Sequence, residues 1–150
     1  MKQLIFLGIF SLFIVNKKLK VNDDPIKLKN NFELTFEKIQ RLPWMPVGKN
    51  ITVEPSRGNK VYVFRIEVEN VSNETNTIDF NKITIVDKEK EAQFSSKYVV
   101  NSGAFQFPVT KLTTLKSGKK KSVNIIYIYD ENKNPEYLKI GDEIIRVPYK

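Results

Sequence analysis

The 150-residue sequence contains neither cysteine nor histidine. Without cysteine the chain has no disulfide, no thiol nucleophile, no iron–sulfur site and no lipid-modified cysteine. Without histidine it lacks the commonest general base of enzymes and the commonest transition-metal ligand. The two absences argue against an enzyme, and we expect no catalytic residue, no metal site and no cofactor.

The sequence also lacks a long hydrophobic run. Its main uncharged apolar stretch is residues 4–15, shorter than the about 20 residues that a membrane-spanning helix needs. The stretch follows Lys2 and stops at Asn16–Lys20, as the core of a signal peptide does, although no small-x-small cleavage site follows it. We interpret residues 1–16 as a signal peptide and expect a secreted, periplasmic or cell-envelope protein. An uncleaved short anchor and a core helix of a cytosolic protein are the alternatives.

Arginine is scarce, with 4 of the 25 basic residues, while the net charge is +8. Proteins that hold phosphate or carboxylate groups in a bidentate manner favour arginine, so we interpret most lysines as a solvated surface. The strongest basic cluster is Lys116 with Lys119, Lys120 and Lys121, which bracket one turn. No aromatic residues interleave with it, so we expect no specific nucleic-acid binding. A weak, salt-sensitive contact with anionic polysaccharide or lipid through Lys119, Lys120 and Lys121 is the alternative.

Apolar and polar residues alternate in most of the remaining sequence. Residues 61–70 (VYVFRIEVEN) alternate over the length of a long strand that is half buried. In residues 123–129 (VNIIYIY), both alternating sets of positions are mostly apolar, which predicts a central strand covered on both sides. With turn signals about every ten residues, the pattern predicts an all-β, Ig-like antiparallel β-sandwich of about seven to nine short strands over residues 31–150. Residues 17–30, which include Asp23-Asp24-Pro25, are interpreted as a linker.

Four segments resemble a known family, the bacterial extracellular Ig-like domains grouped as domain of unknown function 4352. They are the turn and strand of residues 54–70, the strand of residues 79–87, the turn Leu115–Lys119, and the strand end and loop of residues 126–135. The resemblance covers residues 32–149 and implies an Ig-like sandwich of an exported bacterial protein. It implies no catalytic residues, and the chain departs from the lipoprotein members because it has no lipobox cysteine.

Three short motifs could carry chemistry. Ser117-Gly118-Lys119-Lys120 fits Ser-x-x-Lys, but penicillin-recognising enzymes place that serine on a helix and add two further motifs that are missing here. Residues 130–134 (DENKN) begin like a calcium loop, yet an EF-hand needs glycine at its sixth position, where this chain has Pro135. The neighbouring carboxylates of residues 23–24 and 142–143 point to opposite faces of an extended chain. We therefore interpret all three as turns and loops, with a weak calcium site at residues 130–134 left open.

Trp44 is the single tryptophan, and it lies between Pro43 and Pro46. We favour packing of Trp44 as a lid over one end of the core, since large aromatics are mostly buried. The alternative is an exposed anchor for a partner. The sequence as a whole predicts a non-enzymatic, exported Ig-like module that contacts a protein or a surface glycan, with Trp44, Lys119, Lys120 and Lys121 as candidate contact residues. Attachment to an anionic surface and a hydrolase without a recognisable motif are the competing hypotheses.

Overall fold

The structure, a computed structural model, describes residues 17–103 and 107–150. The described strands are β1 Lys17–Leu19, β2 Ile26–Lys27, β3 Phe32–Leu42, β4 Met45–Val47, β5 Ile51–Val53, β6 Asn59–Asn70, β7 Asn76–Asp79, β8 Ile83–Asp87, β9 Ala92–Phe94, β10 Tyr98–Asn101, β11 Leu112–Leu115, β12 Lys120–Asp130, β13 Tyr137–Ile140 and β14 Glu143–Arg146. A 3-10 helix, Phe80–Lys82, separates β7 from β8. The predicted signal segment, residues 1–16, lies outside the described residues. Within the described ranges, no helix has both the length and the apolar character needed to cross a bilayer.

Two antiparallel sheets pack face to face around a common core. The first sheet has the order β1-β3-β6-β12-β10, with β2 also pairing with β3, and the second has the order β14-β13-β8-β9. The strands can be lettered as in an immunoglobulin domain. In the first sheet, β3, β6, β12 and β10 correspond to A, B, E and D. In the second sheet, β14, β13, β8 and β9 correspond to G, F, C and C′. An immunoglobulin domain likewise places A, B, E and D in one sheet and C, F and G in the other. The predicted all-β, Ig-like sandwich is therefore confirmed.

The described residues contain more strands than the seven to nine predicted. Nine of them have four or more residues, and the other five are pieces of two or three residues. Such short pieces show too few alternations to be distinguished from loops by periodicity. The predicted hairpins at Asp87–Lys90 and at the end of the chain are present as β8–β9 and β13–β14.

The main core lies between the two sheets and is built from alternate residues of the central strands. Phe64 of β6 lies edge-to-face against Phe36 and Tyr127, with ring centroids 6.3 and 5.4 Å apart. The predicted inward set of β6 is fully buried, and β12 is buried on both faces as expected. Aromatic pairs of this geometry add about 0.5–1.5 kcal/mol beyond the burial of their area.

A second cluster covers the opposite face of the first sheet. The hairpin β4–β5, inserted between β3 and β6, folds over that face. We name the cluster beneath it the hairpin core, which consists of Met45, Val47, Val53, Val61, Val63, Val100 and Ile126. Because the hairpin covers one end of the sheet only, the rest of this outer face stays open and polar.

Residues 17–30 belong to the sandwich and are not the predicted linker. β1 and β2 both pair with β3, and Leu19 and Leu28 are buried. Val21 forms a bridge with Tyr149, which joins this segment to the end of the chain. The strands of the segment have only three and two residues, and Pro25 lies between them, so the sequence pattern did not reveal them.

Candidate binding surfaces

Trp44 lies on the outside of the molecule, in the link between β3 and β4. It is 43% exposed and is part of neither the main core nor the hairpin core. The favoured prediction, that Trp44 packs as a lid, is therefore wrong. Its neighbour Met45 is the residue that turns inward, since alternate residues of an extended chain point to opposite sides.

A groove of about 380 Å³ runs beside this link on the outer face of the first sheet. We name it the outer-face groove; its lining residues are Lys38, Gln40, Leu42, Met45, Pro46, Val63, Arg65, Ser102, Gly103 and Asn124. The central strands β6 and β12 supply its floor, and the residues next to Trp44 supply one wall. The floor is made of two strands that pair continuously over eleven residue pairs, so this part of the groove is rigid.

A β-bulge shapes the polar part of the groove. The pairing of β3 with β6 shifts between Phe36 and Lys38, which leaves Glu37 as an extra residue opposite Arg65. The Glu37 carboxylate lies 2.7 Å from Arg65 Nε. Arg65 thus has a carboxylate beside it, whereas Lys38 lines the groove and forms no ion pair within residues 17–103 and 107–150.

The turn of residues 116–121, which we name the lysine turn, lies at the other end of the first sheet. Lys120 Nζ lies 2.9 Å from Glu67 and 3.1 Å from Glu69 on the neighbouring strand β6. Hydrogen bonds to these two carboxylates raise the pKa of Lys120. Lys121 pairs with Val68 and points to the opposite side of the sheet, and Lys119 lies in the turn itself. The three candidate lysines therefore do not form one free basic patch.

Trp44 and the lysine turn are not brought together. Leu42, at the end of β3, pairs with Val61, whereas Lys120 pairs with Glu69, eight residues further along β6. At about 3.3 Å per residue, the two ends are about 26 Å apart. The residues predicted from the sequence thus belong to two separate surfaces.

The Ser-x-x-Lys motif is a surface turn. Ser117 is exposed and Gly118 has a φ of +67°, a conformation that glycine adopts readily. The Lys120 ammonium is occupied by Glu67 and Glu69, so it is not placed to take a proton from Ser117. The geometry agrees with the interpretation of this motif as a turn.

The loop that follows β12 uses its oxygen atoms within the protein. One Asp130 carboxylate oxygen accepts the Asn132 N–H at 2.9 Å, and the other lies 3.3 Å from Lys90 Nζ. The Tyr62 hydroxyl donates to the Lys133 carbonyl at 2.6 Å, and Arg41 donates to the Glu131 carbonyl at 2.8 Å. Within residues 17–103 and 107–150, no group of three or more acidic side chains is arranged to hold a metal ion.

A buried carboxylate, Asp87, was not identified from the sequence as a special residue. Asp87 is 4% exposed and accepts hydrogen bonds from the Tyr129 hydroxyl at 2.9 Å and from two backbone N–H groups at 3.1 Å. Lys133 lies 3.5 Å from it and also contacts Glu89. Burial raises the pKa of Asp87, but the hydrogen bonds and the Lys133 charge lower it by more, so the net shift is downward.

Asp87 and its neighbours Glu89, Tyr129 and Lys133, which we name the Asp87 network, line a pocket of about 320 Å³ between the β8–β9 turn and the loop after β12. Burial, together with the hydrogen bond to Asp87, raises the pKa of Tyr129. Asp87 also accepts the backbone N–H groups of its own turn, so the network fixes the β8–β9 connection. A sequence signal did exist: Asp87 takes the next inward position after Ile83 and Ile85.

The comparisons with known proteins agree with this architecture. A family model described as "Domain of unknown function (DUF4352)" matches residues 20–147. The chain belongs to this family. The match begins at residue 20, directly after β1, and includes β2.

Solved structures resemble this DUF4352 protein in fold. A conserved hypothetical protein from Bacillus anthracis has a TM-score of 0.60 and 19% identity, covering 90% of this chain and 97% of that chain. The yjhA protein from Bacillus subtilis has a TM-score of 0.50 and 19% identity, covering 75% of this chain and 74% of that chain. No curated protein sequence matches this chain.

Proposed function

We propose that this DUF4352 protein is an exported, non-enzymatic binding module that holds a partner protein at Trp44 and the outer-face groove. The observation that carries the proposal is the 43% exposure of the single tryptophan beside a groove with a rigid floor. Tryptophan is among the residues that most often dominate the free energy of protein–protein binding. A surface glycan with an apolar ring face is the other class of partner that the same tryptophan would accept.

The surroundings of Trp44 favour binding because they restrict its backbone. Pro43 and Pro46 fix their own φ angles, and Met45 anchors the link in the hairpin core. On such a backbone, only the side-chain torsions of Trp44 remain to be fixed when it contacts a partner. Immobilising a flexible side chain costs about 0.5–1.5 kcal/mol at an interface, so pre-organisation favours affinity.

The non-enzymatic part of the proposal is supported by the residue types present. The sequence has no histidine and no cysteine, and the lysine of its Ser-x-x-Lys motif is ion-paired with two glutamates. The remaining buried acid, Asp87, is engaged by Tyr129 and by its own turn. These groups serve the fold, and we expect no rate enhancement on ester, peptide or glycoside substrates.

The export part of the proposal predicts where processing occurs. β1 begins at Lys17, and its Leu19 is buried against the sheet. Cleavage after residue 16 would keep this strand, whereas cleavage after Lys20 would remove it. We expect the intact mass of protein from the envelope or medium fraction to show the loss of no more than 16 residues. Full-length protein in the cytosol would contradict the export proposal.

Trp44 itself supplies the test of the binding site. Because it is the only tryptophan, the tryptophan fluorescence of the chain reports on the link between β3 and β4 alone. Proteins captured from the cell envelope would be purified and titrated against the wild-type chain while its emission is followed. We expect a shift in emission on binding, and an affinity that falls about tenfold or more in Trp44→Ala, as for a binding hot spot.

Leu112→Ala is the matched control, because Leu112 is 58% exposed and lies on β11, away from the groove. It should bind as the wild type does. Circular dichroism of both variants would show that the sandwich has folded. Equal binding by wild type and Trp44→Ala, with no change in emission, would exclude Trp44 and the groove as the contact site.

A further inference from the structure

The outer face of the second sheet is open and carries a distinct set of side chains. The inward positions of β8, β13 and β14 are occupied by buried aliphatic residues such as Ile85, Leu138 and Ile145. By alternation the other positions face outward. We name them the second-sheet face; its residues are Thr84, Val86, Tyr137, Lys139, Ile144 and Arg146.

The charges of this face are all positive. Lys139 and Arg146 are its charged strand residues, and Lys88 Nζ lies 3.7 Å from the centroid of the Tyr137 ring. In the part of the chain that the structure describes, no acidic residue takes an outward strand position here, and neither Lys139 nor Arg146 forms an ion pair. Glu89 and Glu136 lie in the loops at one rim, where they line a pocket together with Lys88 and Tyr137, and Glu136 also lines a second pocket with Arg146.

Strand register places these cations close to one another. Arg146 pairs with Tyr137 on the adjacent strand, and Lys139 lies two residues from Tyr137 on the same side. Paired Cβ atoms are about 5 Å apart and alternate residues of a strand about 7 Å apart. Three cations therefore surround one tyrosine, and together they attract an anion more strongly than scattered surface lysines do.

The size of the face indicates the shape of its partner. Its four strands have three to five residues each, so the face measures about 13 by 19 Å, or about 250 Å². A stable protein–protein interface buries about 800 Å² on each partner. A linear chain that lies across the strands fits this small, flat face better than a folded protein does. Thr84 and Gln93, joined by a 3.3 Å hydrogen bond, add hydroxyl and amide groups along the same path.

We propose that the second-sheet face binds an anionic polysaccharide, with Lys88, Lys139 and Arg146 contacting its carboxylate, sulfate or phosphate groups. This site goes beyond the proposed function and does not depend on Trp44 or the outer-face groove. It also replaces the lysine turn as the cationic surface, because Lys120 is paired with Glu67 and Glu69 whereas Lys139 and Arg146 have no such partner among the residues that the structure describes. Binding through a few exposed charges weakens as salt rises.

The experiment compares two double variants that remove the same charge. Lys139→Gln/Arg146→Gln changes the second-sheet face, and Lys119→Gln/Lys121→Gln changes the lysine turn. The full chain and both variants would be titrated with polygalacturonate and with dextran sulfate, and with neutral dextran as a reference, at low and physiological salt. We expect the face variant to bind about tenfold more weakly and to lose most of the salt dependence, while the turn variant changes about twofold or less.

Three outcomes would overturn the proposal. Equal weakening in both variants would mean that net charge alone attracts the polymer. Binding no stronger than to neutral dextran would exclude an anionic polysaccharide. Binding only to vesicles that contain phosphatidylglycerol would assign the face to a membrane surface. Both double variants change exposed or half-exposed side chains, and thermal unfolding would establish that each has folded. Arg146→Lys keeps the charge and should retain most of the binding.

Discussion

The two outer faces of the sandwich differ in how their cations are paired. On the first sheet, Lys120 lies between Glu67 and Glu69, Arg65 contacts Glu37, and the hairpin β4–β5 covers one end. On the second sheet, Lys139 and Arg146 face outward, and within residues 17–103 and 107–150 they form no ion pair and no hairpin covers them. The overall charge of +8 is therefore not spread evenly, and a count of lysines does not locate the surface that an anion would meet.

The comparison also separates two sources of stability. The outer face of the first sheet adds to the folding free energy because the hairpin core buries seven side chains there. The outer face of the second sheet adds little because its side chains stay in contact with water. The side chains of the second face remain uncovered and can contact a binding partner.

The largest expected effect tests this difference in burial. Met45→Ala removes a side chain that is 3% exposed in the hairpin core, and Ile144→Ala trims one that is 50% exposed on the second-sheet face. We expect Met45→Ala to lower the free energy of unfolding by about 2–5 kcal/mol. Ile144→Ala should change it by about 0.5 kcal/mol or less. Urea unfolding would measure the free energy of unfolding of both variants. Equal losses would show that the two outer faces contribute equally to stability.

A smaller effect is expected at Asp87, the last residue of β8, which points inward. Asp87→Asn weakens the charged hydrogen bonds that fix the β8–β9 turn and should cost about 1–3 kcal/mol. The pKa of Asp87 is lowered on folding, so its stabilisation is complete above the pKa of an unfolded aspartate and is lost as pH falls through the folded value. Between pH 7 and pH 3, the thermal midpoint of the wild type should therefore fall further than that of Asp87→Asn. Parallel curves for the two proteins would show that the carboxylate adds no pH-dependent stability.

The smallest effect is expected at the lysine turn. Lys120→Gln removes one exposed ion-pairing group from the first sheet and leaves Glu67 and Glu69 without their cation. We expect a smaller shift in thermal midpoint than for Asp87→Asn, since exposed ion pairs contribute little. Retention on an anionic resin should fall less than for Lys139→Gln/Arg146→Gln, because one cation is removed in place of two and it lies away from the second-sheet face. A large loss of retention would restore the lysine turn as the contact surface.

Much of the fold could be predicted from the sequence because alternation is a local property. The inward residues of β6 and the two-sided burial of β12 follow from residues that are neighbours in the chain. The short strands β1 and β2 could not be predicted, since two or three residues carry no measurable period. Trp44 was identified as a candidate residue, but its exposure depends on where the hairpin folds, which its neighbours in sequence do not reveal.

The sequence by itself determined the class of this protein: an all-β sandwich without histidine or cysteine chemistry, with a surplus of lysine and a single tryptophan. Only the tertiary structure decided which lysines are paired and which side chains share a face. Lys120 meets Glu67 across 53 residues of chain, and Asp87 meets Tyr129 across 42. Such pairs arise from strand order and register, and these depend on how the two sheets bury their apolar sides together. The binding surfaces of this DUF4352 protein are therefore properties of its strand pairing, whereas its core is already visible in the alternation of its residues.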